Sequence, residues 1–200
     1  MKKIAVTGSL SSGKTTVCQF LRELGAYVVS ADQVVHHILA SDTGIKEKIA
    51  LALGEDVLVH DQLDRERIAK KVFSDPAKLQ FLETLLHPLV QNELQDRYEA
   101  VKDDPRYAFF VAEIPLLYET HMESLFDLVV VVIAKETTCK NRFHKRNKQE
   151  TPLFAERMMR QWSSEEKAKK ADFVITNNTD LANLKNEVAK IVPQFYPTRR

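Results

Sequence analysis

The run Gly8-Ser9-Leu10-Ser11-Ser12-Gly13-Lys14-Thr15 fits the pattern G-x-x-x-x-G-K-S/T, and no other stretch restricts the fold as much. Ile4-Ala5-Val6 precedes it as an apolar strand seed, and Val17, Phe20, Leu21 and Leu24 follow at helical spacing. Strand, glycine-bounded loop and amphipathic helix in immediate succession form a cradle for phosphate. Inward-turned backbone N–H groups make an anion nest, and the helix that starts inside it adds the positive end of its dipole. Gly8 and Gly13 allow close approach, Lys14 reaches the terminal phosphates of a nucleotide, and the Thr15 hydroxyl is a ligand for Mg²⁺. A lysine at a helix N-terminus opposes the dipole, which an anion held there reconciles.

The 200 residues are 44% hydrophobic and 28% charged, the composition of a globular chain with room for one sizeable core and a smaller satellite. A formal charge of +1 gives no reason to expect nucleic acid or an anionic membrane as partner. Cys18 and Cys139 lie far apart without a C-x-x-C pair, so buried thiols in a reducing compartment are expected and a structural zinc site is not. The N-terminal apolar run stops at Val6, and the longest run, Leu128 to Ala134, is too short to cross a bilayer. A cytoplasmic location is expected.

After the first helix Gly25 supplies a C-cap, and Tyr27-Val28-Val29 reads as a second strand ending at Ser30-Ala31-Asp32. Residues 33–105 are too long for a loop and read as an inserted helical domain, with helices over Ile45–Leu53, Arg65–Phe73 and from Pro76 onward. His87-Pro88 is expected to interrupt the last of these. Tyr107–Ala112, Leu128–Ile133 and the shorter Phe173-Val174-Ile175 are β-rich runs without alternation, as in a parallel sheet covered on both faces. The predicted fold is therefore α/β, a five-stranded doubly wound parallel sheet whose ligands bind at the carboxyl ends of the strands. Its core comprises residues 1–32, 106–134 and 171–200 of a single domain.

Residues 135–170 carry eleven Lys/Arg against five Glu, a surplus of six. A solvated charged face accounts for this, and so does a lid bringing arginines over a phosphate; Arg142 and Arg146, one helical turn apart, favour the lid. Asp32 has two roles open to it: an acid favourable to a helix dipole, or a catalytic base that accepts a hydroxyl proton. Glu113 is either a strand-end charge or part of the magnesium shell. His36 and His37 are adjacent and face apart, so a histidine metal site is not expected. Trp162 reads as a packing residue.

Taken together, the chain resembles the dephospho-coenzyme A kinase family over nearly its whole length. The resemblance rests on the loop, Ala31-Asp32, Leu63-Asp64-Arg65, Leu86-His87-Pro88-Leu89-Val90, Pro115-Leu116-Leu117-Tyr118-Glu119, the Arg142/Arg146 pair, Arg157 with Gln161, and Ala171-Asp172-Phe173-Val174-Ile175 followed by Asn177-Asn178. It implies a P-loop kinase core, an acceptor-binding helical insertion over 33–105 and a helical lid over 135–170. It also implies transfer of phosphate from ATP, with Mg²⁺, to the ribose 3′-hydroxyl of dephospho-coenzyme A. Asp32, Lys14 and Arg142 are the implied catalytic residues. Gly8, Ser11, Ser12, Gly13, Lys14, Thr15, Thr16, Arg142, Arg157 and Asn177 are implied to hold ATP, and Thr15 the metal. Asp32, His36, His87, Leu116 and Glu119 are implied to face the acceptor.

The chain departs from the family pattern at Ser9 and Ser11, where glycine is usual, at Ser30, which replaces an acid, at His36, where arginine is common, and at Thr179. A kinase with a nucleoside or nucleotide acceptor keeps the same fold. A GTPase-like switch is disfavoured, because Asn177-Asn178-Thr179-Asp180 lacks the lysine of N-K-x-D.

Overall fold

The computed structural model describes residues 1–147, 154–155 and 158–196. Its central strand β1 (Lys2–Gly8) is buried from Ile4 onward. It is followed by α1 (Lys14–Glu23) and β2 (Ala26–Ser30), then by α2 (Ala31–Ser41) and α3 (Thr43–Leu53). A short hairpin of β3 (Leu58–Val59) and β4 (Gln62–Leu63) leads to α4 (Arg65–Phe73) and α5 (Pro76–Val101). β5 (Phe109–Glu113), β6 (Leu128–Ile133), α6 (Glu136–Asn147), a helix Ser164–Lys169, β7 (Phe173–Thr176) and a helix Leu181–Ile191 complete the described order.

Five strands form one sheet in the order β2-β5-β1-β6-β7, every neighbouring pair parallel. Runs such as Leu128-Val129-Val130-Val131-Val132-Ile133 suit this sheet because both faces must be apolar when helices cover both. The register brings Glu113 of β5 level with Val6 of β1 and with Ser30 of β2, so β5 ends beside the strand that feeds the phosphate loop. Under the sheet, Ile4, Val6, Val17, Leu21, Phe109, Val130, Leu184 and Phe195 make a continuous core. Phe109 and Phe195 meet edge to face at 5.6 Å. β5 starts two residues later than the β-rich run suggests. The Asp104 carboxylate accepts the Arg106 N–H at 2.9 Å and binds its guanidinium, while the Tyr107 N–H donates to the Asp104 carbonyl, holding 104–107 in a turn.

The chain divides into two compact units, one of Met1–Ser30 with Tyr98–Arg200, the other of Ala31–Arg97. The second unit has its own core, including Ile49, Leu53, Val57, Ile68, Val72 and Leu86. Its helices begin where capping chemistry dictates: Asp42 accepts the Ile45 N–H at 3.0 Å, and Asp64 accepts those of Glu66 and Arg67 at 2.9 and 3.1 Å.

Two features of this unit differ from the sequence expectation. His87-Pro88 does not interrupt the helix, since α5 runs unbroken for 26 residues with Pro88 inside it. An internal proline costs about 3 kcal/mol, and buried Leu86, Val90 and Leu94, each contributing roughly 1.5–3 kcal/mol, hold both halves on one line. The β3–β4 hairpin was also unforeseen. Its turn places His60 and Asp61 at φ +48° and +59°, a left-handed pair that Asn-Gly normally signals. Among the described residues no helix is long and apolar enough to cross a membrane.

Candidate active site

The loop between β1 and α1 owes its shape to three residues with positive φ: Gly8 at +142°, Ser11 at +58° and Gly13 at +106°. A Cβ on Gly8 would lie 2.1 Å from the Val132 carbonyl oxygen, so the loop leaves the sheet only through a glycine. A Cβ on Gly13 would lie 2.2 Å from Asn177 Nδ2. Within the loop the Ser12 N–H donates to the Ser9 carbonyl at 3.2 Å. Gly13 is the N-cap of α1, and the helix has neither a side-chain cap nor an acid in its first turn. Its positive end is thus open toward the loop, the arrangement that receives an anion.

Lys14 is the first residue of that helix, and its amine is buried, donating to the carbonyls of Gly8 at 3.1 Å and Ser9 at 2.9 Å. Thr15 is exposed on the next position, with its hydroxyl donating to Glu113 Oε1 at 2.8 Å. The Thr16 N–H donates to the Gly13 carbonyl at 3.1 Å, starting the helical ladder. Burial pushes the Cys18 thiol well above its ordinary range, with Glu113 adding to the shift, and burial likewise raises that of Cys139. Both thiols are free and buried, as the sequence led us to expect.

Asn177 follows β7, and its side chain is buried against the loop, donating to the Ser12 carbonyl at 2.7 Å. Arg142 reaches the same place from α6, with donors 3.3 Å from the Ser12 carbonyl, 3.2 Å from the Asn177 carbonyl and 3.3 Å from Asn177 Oδ1. Arg142, Asn177, Ser12 and Gly13 therefore meet at one point. The Arg146 side chain and all of Arg157 lie outside the described residues.

Glu119 lies past β5, where its Oε1 pairs with Lys167 at 2.9 Å and accepts the Trp162 N–H at 2.7 Å. Neither Lys167 nor these bonds is signalled by sequence; the nearest sign is the Ser163-x-x-Glu166 capping box that starts their helix. Leu116 is half-buried in the same turn, its carbonyl accepting the Thr120 N–H at 3.0 Å.

The second unit carries Asp32, His36 and His87. Asp32 is exposed in the first turn of α2, and His36 is exposed one turn later, with Nδ1 3.5 Å from Arg65 Nη1. His87 is half-buried in α5. Among the described residues no three His, Cys, Asp or Glu side chains form a metal cage.

An uncapped helix start, a buried ammonium and a hydroxyl beside a carboxylate all address one kind of ligand, the phosphate tail of a nucleotide. Together with the parallel sheet they define the class, a P-loop phosphotransferase. Residues 2–183 match the family model described as dephospho-CoA kinase. The chain is 40% identical over 196 residues to the dephospho-CoA kinase of Protochlamydia amoebophila, covering 98% of this chain and 97% of that one. A dephospho-CoA kinase structure from Campylobacter jejuni superposes with a TM-score of 0.71 at 30% identity, covering 96% of each chain. A Thermus thermophilus structure does so with a TM-score of 0.84 at 28% identity, covering 98% of each. The chain belongs to the dephospho-CoA kinase family, whose reaction phosphorylates dephospho-coenzyme A to coenzyme A.

Proposed function

We propose that this chain transfers the γ-phosphoryl group of Mg²⁺-ATP to the ribose 3′-hydroxyl of dephospho-coenzyme A, with Asp32 as the base that accepts the hydroxyl proton. The chain is a kinase of that family. The observation that carries the mechanism is the loop itself: a helix start open to anions, with buried Lys14 leaning on the loop and Thr15 bonded to Glu113. Backbone donors and Lys14 hold the β- and γ-phosphates in line and offset the charge that shifts during transfer. Arg142, anchored beside Gly13, adds a guanidinium on the same side.

Thr15 and Glu113 offer two hard oxygen donors side by side, the type Mg²⁺ takes alongside substrate phosphates, and these residues would hold it. When bound, the ion screens the negative charge between the two terminal phosphates. Support for Asp32 is its own position, an exposed carboxylate that follows the carboxyl end of β2 by two residues. His36, His87, Leu116 and Glu119 belong to acceptor recognition in this reading, with 33–105 as the acceptor-binding insertion. Residues 135–170, including Arg157, act as the lid that excludes water so that transfer outruns hydrolysis. The setting is cytoplasmic, and neither nucleic acid nor membrane is a partner.

The test is a single assay with ATP, Mg²⁺ and dephospho-coenzyme A, in which coenzyme A and ADP form in equal amounts. Asp32→Asn lowers kcat by at least about 100-fold with little change in ATP affinity. A variant with undiminished kcat removes Asp32 from the base role, and a wild-type protein that binds ATP but makes no coenzyme A removes the acceptor.

A further inference from the structure

The helix Ser164–Lys169 is fixed to the rest of its unit by polar contacts that the mechanism above does not use. Lys167 is wholly buried, and its amine donates to the Pro115 carbonyl at 2.9 Å while pairing with Glu119 at 2.9 Å. The same Pro115 carbonyl accepts the Thr7 hydroxyl, at 3.2 Å, from the end of β1. Glu119 also accepts the Trp162 N–H, so both the helix and the residue two before it are tied to the turn after β5. Burying an ammonium is costly, and burial pulls the Lys167 amine below its ordinary range against the opposing pull of Glu119. A cost of this kind is offset only where the pair holds good geometry.

What the anchor positions is Ser164. Its hydroxyl is hydrogen-bonded to that of Ser9, a loop residue that is itself buried. The Ser9 carbonyl receives two donors, the Lys14 amine and the Ser12 N–H, so the residue whose hydroxyl Ser164 touches is also one of the two whose carbonyls hold the Lys14 amine. The hydroxyl pair joins loop and helix across 155 positions of sequence.

We infer that the Ser9–Ser164 hydroxyl pair, held in register by Lys167 on Glu119 and Pro115, is a strut that pre-organises the phosphate loop, making Ser164 and Lys167 positioning residues for ATP. The inference rests on the nucleotide-binding role proposed above. Without the strut Ser9 loses its side-chain tether and is held only through its carbonyl, so nucleotide binding must supply part of the ordering.

The test measures affinity for the β,γ-imido analogue of ATP with Mg²⁺ by calorimetry. Ser164→Ala and Ser9→Ala each weaken binding about three- to ten-fold, the range of one net hydrogen bond. Combining them weakens it no further, because both remove the same contact. Ser164→Thr, which keeps the hydroxyl, retains wild-type affinity. Lys167→Met matches the loss of Ser164→Ala, with no additional loss when the two are combined. Wild-type affinity in folded Ser164→Ala, or losses that multiply in the Ser9→Ala/Ser164→Ala pair, overturns the strut while leaving the proposed reaction standing. A wild-type protein that does not bind the analogue overturns both.

Discussion

The Thr15 hydroxyl donates to Glu113 Oε1 at 2.8 Å, linking the last residue of the G-x-x-x-x-G-K-T motif, in the first turn of α1, to the last residue of β5. Parallel pairing makes this possible, since Val6 and Glu113 are in register and β5 ends two residues before β1 gives way to the loop. If the pair holds Mg²⁺, Glu113→Ala raises the Mg²⁺ concentration for half-maximal activity by about ten-fold or more. Nucleotide affinity measured in EDTA stays at the wild-type value. Equal Mg²⁺ dependence in the two proteins would return Glu113 to a plain strand-end charge.

Gly13 is closed to substitution on two counts, its φ of +106° and the 2.2 Å approach of Asn177 Nδ2 to an added Cβ. In Gly13→Ala the Asn177 amide must leave the Ser12 carbonyl. The left-handed backbone costs about 1–2 kcal/mol and the lost buried bond about 1–3 kcal/mol more. Urea unfolding should show a midpoint lowered accordingly, and nucleotide binding should be lost.

Ser11 tolerates its φ of +58° at a cost that glycine would not bear. Ser11→Gly removes about 1–2 kcal/mol of strain and adds about 0.5–1 kcal/mol of chain entropy, leaving the protein equal to or slightly more stable than the wild type. Ser11→Val, with a branched Cβ, falls below it by more than about 1 kcal/mol. The two midpoints, measured at constant denaturant slope, should therefore fall in opposite order to the hydrophobicity of the side chains.

Tyr118 is buried, with no hydrogen-bond partner for its hydroxyl among the described residues, and burial first, then the charges of Asp172 and Glu123, push its pKa up to about 12. The unfolded chain ionises near 10, so between pH 10 and 12 the unfolded state loses its proton first and stability falls as pH rises. Tyr118→Phe should match the wild type near neutrality and lose less stability across that window. Parallel pH profiles for the two proteins would contradict it.

Much of this was legible from local pattern. The loop, β6 at Leu128–Ile133 and α4 at Arg65–Phe73 follow from motif, apolar run and capping, each a property of neighbouring residues. The continuity of α5 was not, because Pro88 is a local breaker whose cost is met by burial that only the tertiary packing supplies. Asn177 on the Ser12 carbonyl and Lys167 on Glu119 join residues 165 and 48 positions apart, and no spacing rule reaches across such distances. Ser11 is a different case: the chain puts a side chain at a left-handed position, so the residue that marks the turn is the one that disguises it.

Trp162 is the chain's sole tryptophan, stacked on Tyr118 with ring centroids 5.7 Å apart and overlain by the Lys170 ammonium 4.8 Å from its own ring centroid. Indole emission from this protein therefore has a single source, located next to the peptide that grips Glu119. An engineer who wants an optical probe of the packing around Glu119 has one already installed, and needs no dye.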